Sequence, residues 1–173
     1  MGNPMIRKKS KRLSKSEIKL KETKNIIKDL TDSMRHYNLV GMSAPQIDHN
    51  LRVFVTEIRN KKNRKVDEID NLRVFINPKI TSYSKGKILG YEGCGSVSNS
   101  NIFGLVNRSK SIKIEALDVD GKLFKLSASG LLARVIQHEY DHLDGILFID
   151  KVTDTKSLMS GTEYRKMKNK KNK

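Results

Sequence analysis

Residues 137–145 read Q-H-E-Y-D-H-L-D-G, and the rest of the chain is organised around them. The stretch contains H-E-x-x-H: His138 and His142 four residues apart, with Glu139 directly after the first. An α-helix turns once in about 3.6 residues, so His138 and His142 leave the same face and can hold one metal ion between them. Glu139 lies about 100° round the helix from His138. From there it reaches a metal-activated water without being a ligand, and can pass that water's proton to a leaving group. Short patterns arise by chance, and many helical histidine pairs are surface features. Here residues 131–136 are mostly apolar, which marks the helix as buried. A buried helix carrying His, Glu, Asp and His must satisfy those groups, and a metal ion does so.

Upstream of this helix the chain reads as a helix followed by strands. Residues 1–13 form a charged, irregular lead-in. Ser14 and Glu17 make an S-x-x-E capping box, and Ile26, Ile27, Leu30, Met34 and Tyr37 then recur at helical spacing down to about residue 37. His36 and His49 lack a ligand-spaced partner and are incidental. Residues 38–46, N-L-V-G-M-S-A-P-Q, form a loop of small residues that lets the backbone approach something closely. Strands are expected at 51–58, 72–80, 85–91, 102–107, 111–118 and 122–127. An exposed hairpin connection spans 59–71, and Asp118 to Gly121 makes a tight turn. The H-E-x-x-H helix begins near Ser129 and ends at Gly145, a natural C-cap.

Cys94 is the second chemical focus, and the only cysteine. A lone cysteine is usually a small buried hydrophobe. Its flanking residues, Gly93 and Gly95, favour instead a place where backbone and ligand meet. No intrachain disulfide is possible, which points to a reducing compartment.

The 173 residues suit one domain with a real core. The net charge of +16 is concentrated at the ends: residues 1–28 hold ten Lys/Arg against two acids, and 158–173 hold six against one. Basic ends suit an acidic partner such as RNA or the ribosome, although frayed lysine-rich termini are common without one. The ends carry no aromatic residue for stacking on bases other than Tyr164, which argues against sequence-specific RNA reading. No apolar run approaches the ~20 residues that span a bilayer. A soluble protein of the bacterial cytoplasm is expected, with an organelle as the alternative.

Three stretches in this order, G-M-S-A-P-Q at 41–46, E-G-C-G-S at 92–96 and Q-H-E-Y-D-H-L-D-G at 137–145, resemble the signature motifs of the peptide deformylase family. The likeness covers about residues 2–150. It implies removal of the N-formyl group from the initiator methionine of newly made polypeptides, releasing formate. It implies an α+β fold in which antiparallel sheets wrap a central metal-binding helix, with the amphipathic helix N-terminal to them. Residues 1–157 would be one catalytic domain and 158–173 a flexible basic tail.

Carried over position by position, the resemblance makes Cys94, His138 and His142 the metal ligands, with an open fourth position of the kind catalytic sites keep. Fe²⁺ is the implied ion, and Zn²⁺ or Ni²⁺ fit the same donors. Glu139 becomes the general base and then proton donor, while Gln46 and the backbone N–H of Gly95 steady the formyl oxygen. The substrate would add as a strand near Val40, Gly41 and Gly93, with its methionine side chain against Leu131 and Val135.

Several positions depart from the family pattern. Leu39 stands where a glycine is usual, Gly95 where a bulky apolar residue is, Ser43 where alanine is, and Ser98-Asn99 where a proline is common. Two other readings stand beside the enzyme. A zinc endopeptidase would need a third ligand beyond His142, where no histidine remains. A deformylase-like module that docks on ribosomes with little activity would use the basic ends. A monomer is expected.

Overall fold

The computed structural model of the chain describes residues 2–60 and 69–171, with Ser100 and Lys171 described by backbone alone. In chain order the strands are β1 (Gly41–Ser43), β2 (Val53–Ile58), β3 (Asp70–Tyr83), β4 (Lys87–Gly93), β5 (Ile102–Ser109), β6 (Ser111–Leu117), β7 (Leu123–Ser129) and β8 (Met159–Ser160). The helices are α1 (Lys15–Lys19), α2 (Lys21–His36), α3 (Gly130–Leu143) and α4 (Gly161–Lys171). One antiparallel sheet runs β1-β2-β3-β6-β7, and a smaller one runs β4-β5-β8. The class is α+β with antiparallel sheets, as expected.

Burial along β2 shows how the larger sheet is covered. All six residues of V-F-V-T-E-I are buried. Successive side chains of a strand point to opposite faces. Val53 and Val55 therefore join Ile26, Ile27, Leu30 and Met34 of α2. Phe54 points the other way, into a cluster with Phe75, Ala133, Ile136 and Leu143, and its ring stacks on Phe75 at 4.6 Å. The sheet is thus sandwiched between α2 and α3. A third cluster, Ile6, Cys94, Val97, Val106, Leu147 and Phe148, fills the space beside the smaller sheet.

The helix expected from Ser14 to residue 37 is two helices. The Ser14 box forms, with the Glu17 N–H donating to Ser14 Oγ at 3.3 Å and the Ser14 N–H to Glu17 Oε2 at 2.6 Å. The break falls at Leu20, which is extended (ψ 143°), and the Thr23 hydroxyl takes up the Glu17 carbonyl at 2.6 Å. Residues 41–43, read as loop, pair with β2 and form an edge strand. The hairpin connection expected over 59–71 falls mostly outside the described residues. The Asp118 turn is present, its carboxylate accepting from the N–H groups of Asp120 (2.9 Å) and Lys122 (2.8 Å).

Helix α3 ends in a Schellman motif: the Ile146 N–H reaches the Asp141 carbonyl at 3.0 Å and the Gly145 N–H the His142 carbonyl at 3.1 Å. Gly145 takes φ 74°, and a Cβ there would meet the Arg7 carbonyl oxygen at 2.3 Å. The irregular lead-in therefore docks on this helix end. Ile6 is buried, and the Ser10 N–H donates to the Leu143 carbonyl at 2.8 Å. Residues past 157, expected as a flexible tail, instead carry β8 and α4. The physical reason is an aromatic stack, with the Tyr164 ring 4.1 Å from that of Phe103 and nearly parallel to it. No described helix is long and apolar enough to cross a membrane.

Candidate metal centre

Cys94, His138 and His142 come together where the end of β4 meets α3, and their donor atoms all lie within 4.8 Å of one another. Cys94 Sγ is 3.2 Å from His142 Nε2, and the two imidazole centroids are 4.9 Å apart. Tetrahedral ligation by one sulfur and two nitrogens sets neighbouring donors about 3.5 Å apart. The set fits a divalent transition ion.

The surrounding charges agree with that fit. Burial alone would lower the pKa of His138, but hydrogen bonds to Cys94 and Glu92 outweigh it and push the value up to about 10. Burial, with repulsion from His138, drives His142 well below its ordinary value. The pocket favours one positive charge at its centre, so a proton and a metal ion compete for it. Nδ1 of His142 and Oε2 of Glu139 are buried with no hydrogen-bond partner among the described residues. Such groups normally face a water or a ligand.

Glu139 and Gln46 flank the donors. Burial pushes the Glu139 carboxyl up to about 7, against the pull of the His138 charge. That value suits a group that must take a proton and return it. The Gln46 carbonyl accepts from the Ser43 N–H at 2.8 Å and the Ser43 hydroxyl at 3.0 Å. This fixes the amide's orientation, so its NH₂ faces Cys94 Sγ at 3.7 Å and Ser96 Oγ at 3.2 Å. The serine that departs from the family pattern at position 43 is therefore a clamp on Gln46.

The other departures also take definite shapes. Leu39 does not carry the positive φ in its loop; Asn38 does, at 58°, and Leu39 packs on the α2 cluster. Ser98 and Asn99 both take φ 50°, a conformation that the proline ring forbids. Gly95 lies in the turn closed by the Val97 N–H on the Cys94 carbonyl, 3.0 Å.

Among the residues expected near substrate, Gly41 and Val135 meet. A Cβ at Gly41 would lie 2.6 Å from Glu139 Oε1 and 2.8 Å from Val135 Cγ1. Val40 is half-buried just before β1, and Gly93 ends β4 against the Phe103 ring. Leu131 sits one turn back from Val135 and is 43% exposed.

Sequence reading missed the charged network behind His138. The Glu92 carboxylate accepts from His138 Nδ1 (3.0 Å), Arg108 Nε and Nη2 (both 2.9 Å) and Arg134 Nη1 (2.7 Å). Arg108 also pairs with Asp141. Burial would raise the Glu92 pKa, yet the bonds from His138 and Arg108 hold it well below the carboxylate range. A carboxylate on Nδ1 fixes the imidazole so that Nε2 faces the metal pocket. The available signal was Arg134 itself, a lone charge in an otherwise apolar run.

Three side chains that could hold a metal ion, beside a buried carboxyl pushed up to about 7, are what a metal-dependent hydrolase requires. The model of the polypeptide deformylase family matches residues 1–158. Peptide deformylase of Dictyoglomus thermophilum is 40% identical over 154 residues, covering 89% of this chain and 90% of its own. The Met-Ala-Ser-bound class I type b peptide deformylase of Acinetobacter baumannii superposes with TM-score 0.83 at 30% identity, over 88% of this chain and 94% of that one. The Thermotoga maritima enzyme gives 0.77 at 32%, over 89% and 95%. The chain belongs to the polypeptide deformylase family.

Proposed function

We propose that Cys94, His138 and His142 bind the metal ion with which this enzyme removes the N-formyl group from nascent polypeptides. The observation that carries the assignment is the convergence of these three donors within 4.8 Å, beside a buried Glu139. When bound, the ion acts as a Lewis acid that makes a water nucleophilic near neutral pH. Glu139 takes the proton of the attacking water and delivers it to the amine nitrogen as the formyl C–N bond breaks, giving formate and a free amino group. The Gln46 amide and the Gly95 N–H donate to the formyl oxygen as negative charge grows there. The open edges of β1 and β4 supply backbone partners for the peptide near Val40, Gly41 and Gly93. Val135, with Leu131 at the rim, receives the methionine side chain.

The proposed ion is Fe²⁺, which a mixed thiolate and imidazole set accepts. The proposed setting is the cytoplasm, as a monomer, close to the ribosome. Arg165, Lys166, Lys168 and Lys170 make α4 a basic helix, which suits an acidic partner such as ribosomal RNA. Loss of residues 158–173 should then weaken salt-sensitive co-sedimentation with ribosomes, and unchanged co-sedimentation removes that part of the reading.

The deciding experiment is formate release from a formyl-Met tripeptide by protein loaded anaerobically with Fe²⁺, or with oxygen-stable Ni²⁺. Turnover should be robust and fall by about 10²–10⁴-fold in Glu139→Ala. Full activity in Glu139→Ala, or none in a wild type carrying stoichiometric metal, overturns these assignments.

A further inference from the structure

Helix α3 and strand β4 form the two walls of the site. The helix carries His138, Glu139 and His142, while β4 leads directly into Cys94. Besides the bond between Glu92 and His138, one helix side chain joins the walls at several points. Arg134 lies one turn before His138 on the same helix face. Its Nη1 donates to Glu92 Oε1 (2.7 Å), to the Val106 carbonyl (3.1 Å) and to the Gly90 carbonyl (3.3 Å). Its Nη2 donates to the Ile88 carbonyl at 2.7 Å. The guanidinium thus binds β4 at two residues, β5 at one, and the carboxylate that orients His138.

Gly90 makes this arrangement possible. A Cβ there would stand 3.0 Å from Arg134 Cζ and 3.0 Å from Nη2. The arginine therefore lies directly over a strand position with no side chain. Its planar fork reaches several acceptors at once, which a lysine ammonium does not do in the same geometry. Its side chain is only 15% exposed, so a charge is placed in an otherwise apolar run at a desolvation cost. Glu92 already has Arg108 as a buried counter-ion, with both side chains 4% exposed. Neutralising Glu92 does not by itself call for a second arginine.

We propose that Arg134, seated over Gly90, is a positioning residue: it ties Glu92, and through it the ligand His138, to the backbone of β4, holding the helix-borne and strand-borne metal ligands in one register. The inference rests on the reading of Cys94, His138 and His142 as ligands.

The test uses full-length protein with Co²⁺ as the probe. Affinity is measured by competition with a chelator, ligand geometry by the visible absorption of bound Co²⁺, and folding by thermal melting. Arg134→Met should weaken Co²⁺ binding about 10-fold and shift the absorption bands. Gly90→Ala, which displaces the guanidinium, should give a smaller change in the same direction. The double variant should be no worse than Arg134→Met alone, because the glycine matters only through the arginine. Unchanged affinity and spectrum in Arg134→Met, or additive losses in the double variant, overturn the proposal even if the melting temperature falls. A wild type that binds no Co²⁺ overturns the metal-site reading beneath it, an outcome distinct from both.

Discussion

The two long sides of α3 are built from opposite materials. Toward the five-stranded sheet the helix offers Ala133, Ile136 and Leu143, packed on Phe54, Phe75 and Ile114. Toward the smaller sheet it offers Arg134, His138 and Asp141, engaged with Glu92 and Arg108. Apolar packing is non-directional and tolerates small shifts. Charged hydrogen bonds demand distances and angles, and they penalise any missing partner. The helix is therefore held in the fold by one side and aimed by the other.

The sharpest way to break this division is Ile136→Ala. Ile136 is fully buried, and removing its side chain should cost about 2–5 kcal/mol in denaturant unfolding. Metal affinity of the folded protein should stay at the wild-type level. A parallel fall in metal affinity means that the apolar side also aims the ligands. Glu92→Gln attacks the other side with little change of shape. It should lower metal affinity about 10–100-fold and also reduce stability, because the buried Arg108 and the partly buried Arg134 lose their shared counter-charge. Normal chelator competition in that variant removes Glu92 from the aiming role.

The smallest effect belongs to an ion pair at the rim, Arg7 with Asp150, whose side chains are 44% and 37% exposed. The hydrogen bond from Arg7 lowers the Asp150 pKa. A depressed folded-state value stabilises the protein above the unfolded value of about 3.9 and is lost as pH falls through the folded value. With the discount for exposure, Asp150→Asn should cost about 0.2–1 kcal/mol at pH 7. That penalty should fade in melts taken well below pH ~4. A penalty that persists in acid points to packing, or to the lost acceptor for the Leu147 N–H at 2.8 Å, in place of charge.

The parts legible in the sequence were those with short-range signatures. The strands expected at 51–58 and 111–118 form as β2 and β6, and α2 followed from its apolar spacing. The histidine pair was legible because His138 and His142 share a helix face; Cys94 joined the proposed donor set only through the family resemblance, its glycines marking no more than a place where backbone and ligand meet. The supporting network was not, because Glu92, Arg108 and Arg134 come from three separate elements. A charged residue in a sequence is by default assigned to the surface, so only assembly shows these three converging. Strand β1 is too short for alternation to register. The packing of α4 rests on Tyr164 meeting Phe103, a contact across a separation of 61 residues that no local pattern encodes.

The close approach of Gly145 to Arg7 has a consequence for the timing of folding. The contact between Arg7 and Gly145 closes a separation of 138 residues, and that between Arg7 and Asp150 one of 143. Since synthesis runs from the N-terminus, Arg7 emerges long before Gly145 and Asp150 exist. Lys11 can pair with Asn50 and Arg52 early, whereas Arg7 must wait until α3 and its cap have left the ribosome. Long loop closures slow folding more than they weaken the finished structure. The contacts of Arg7 with Gly145 and Asp150 therefore form only after α3 and its cap have been made, and a chain lacking residues past 143 seats residues 10 and 11 on Leu143, Asn50 and Arg52 without these two partners of Arg7.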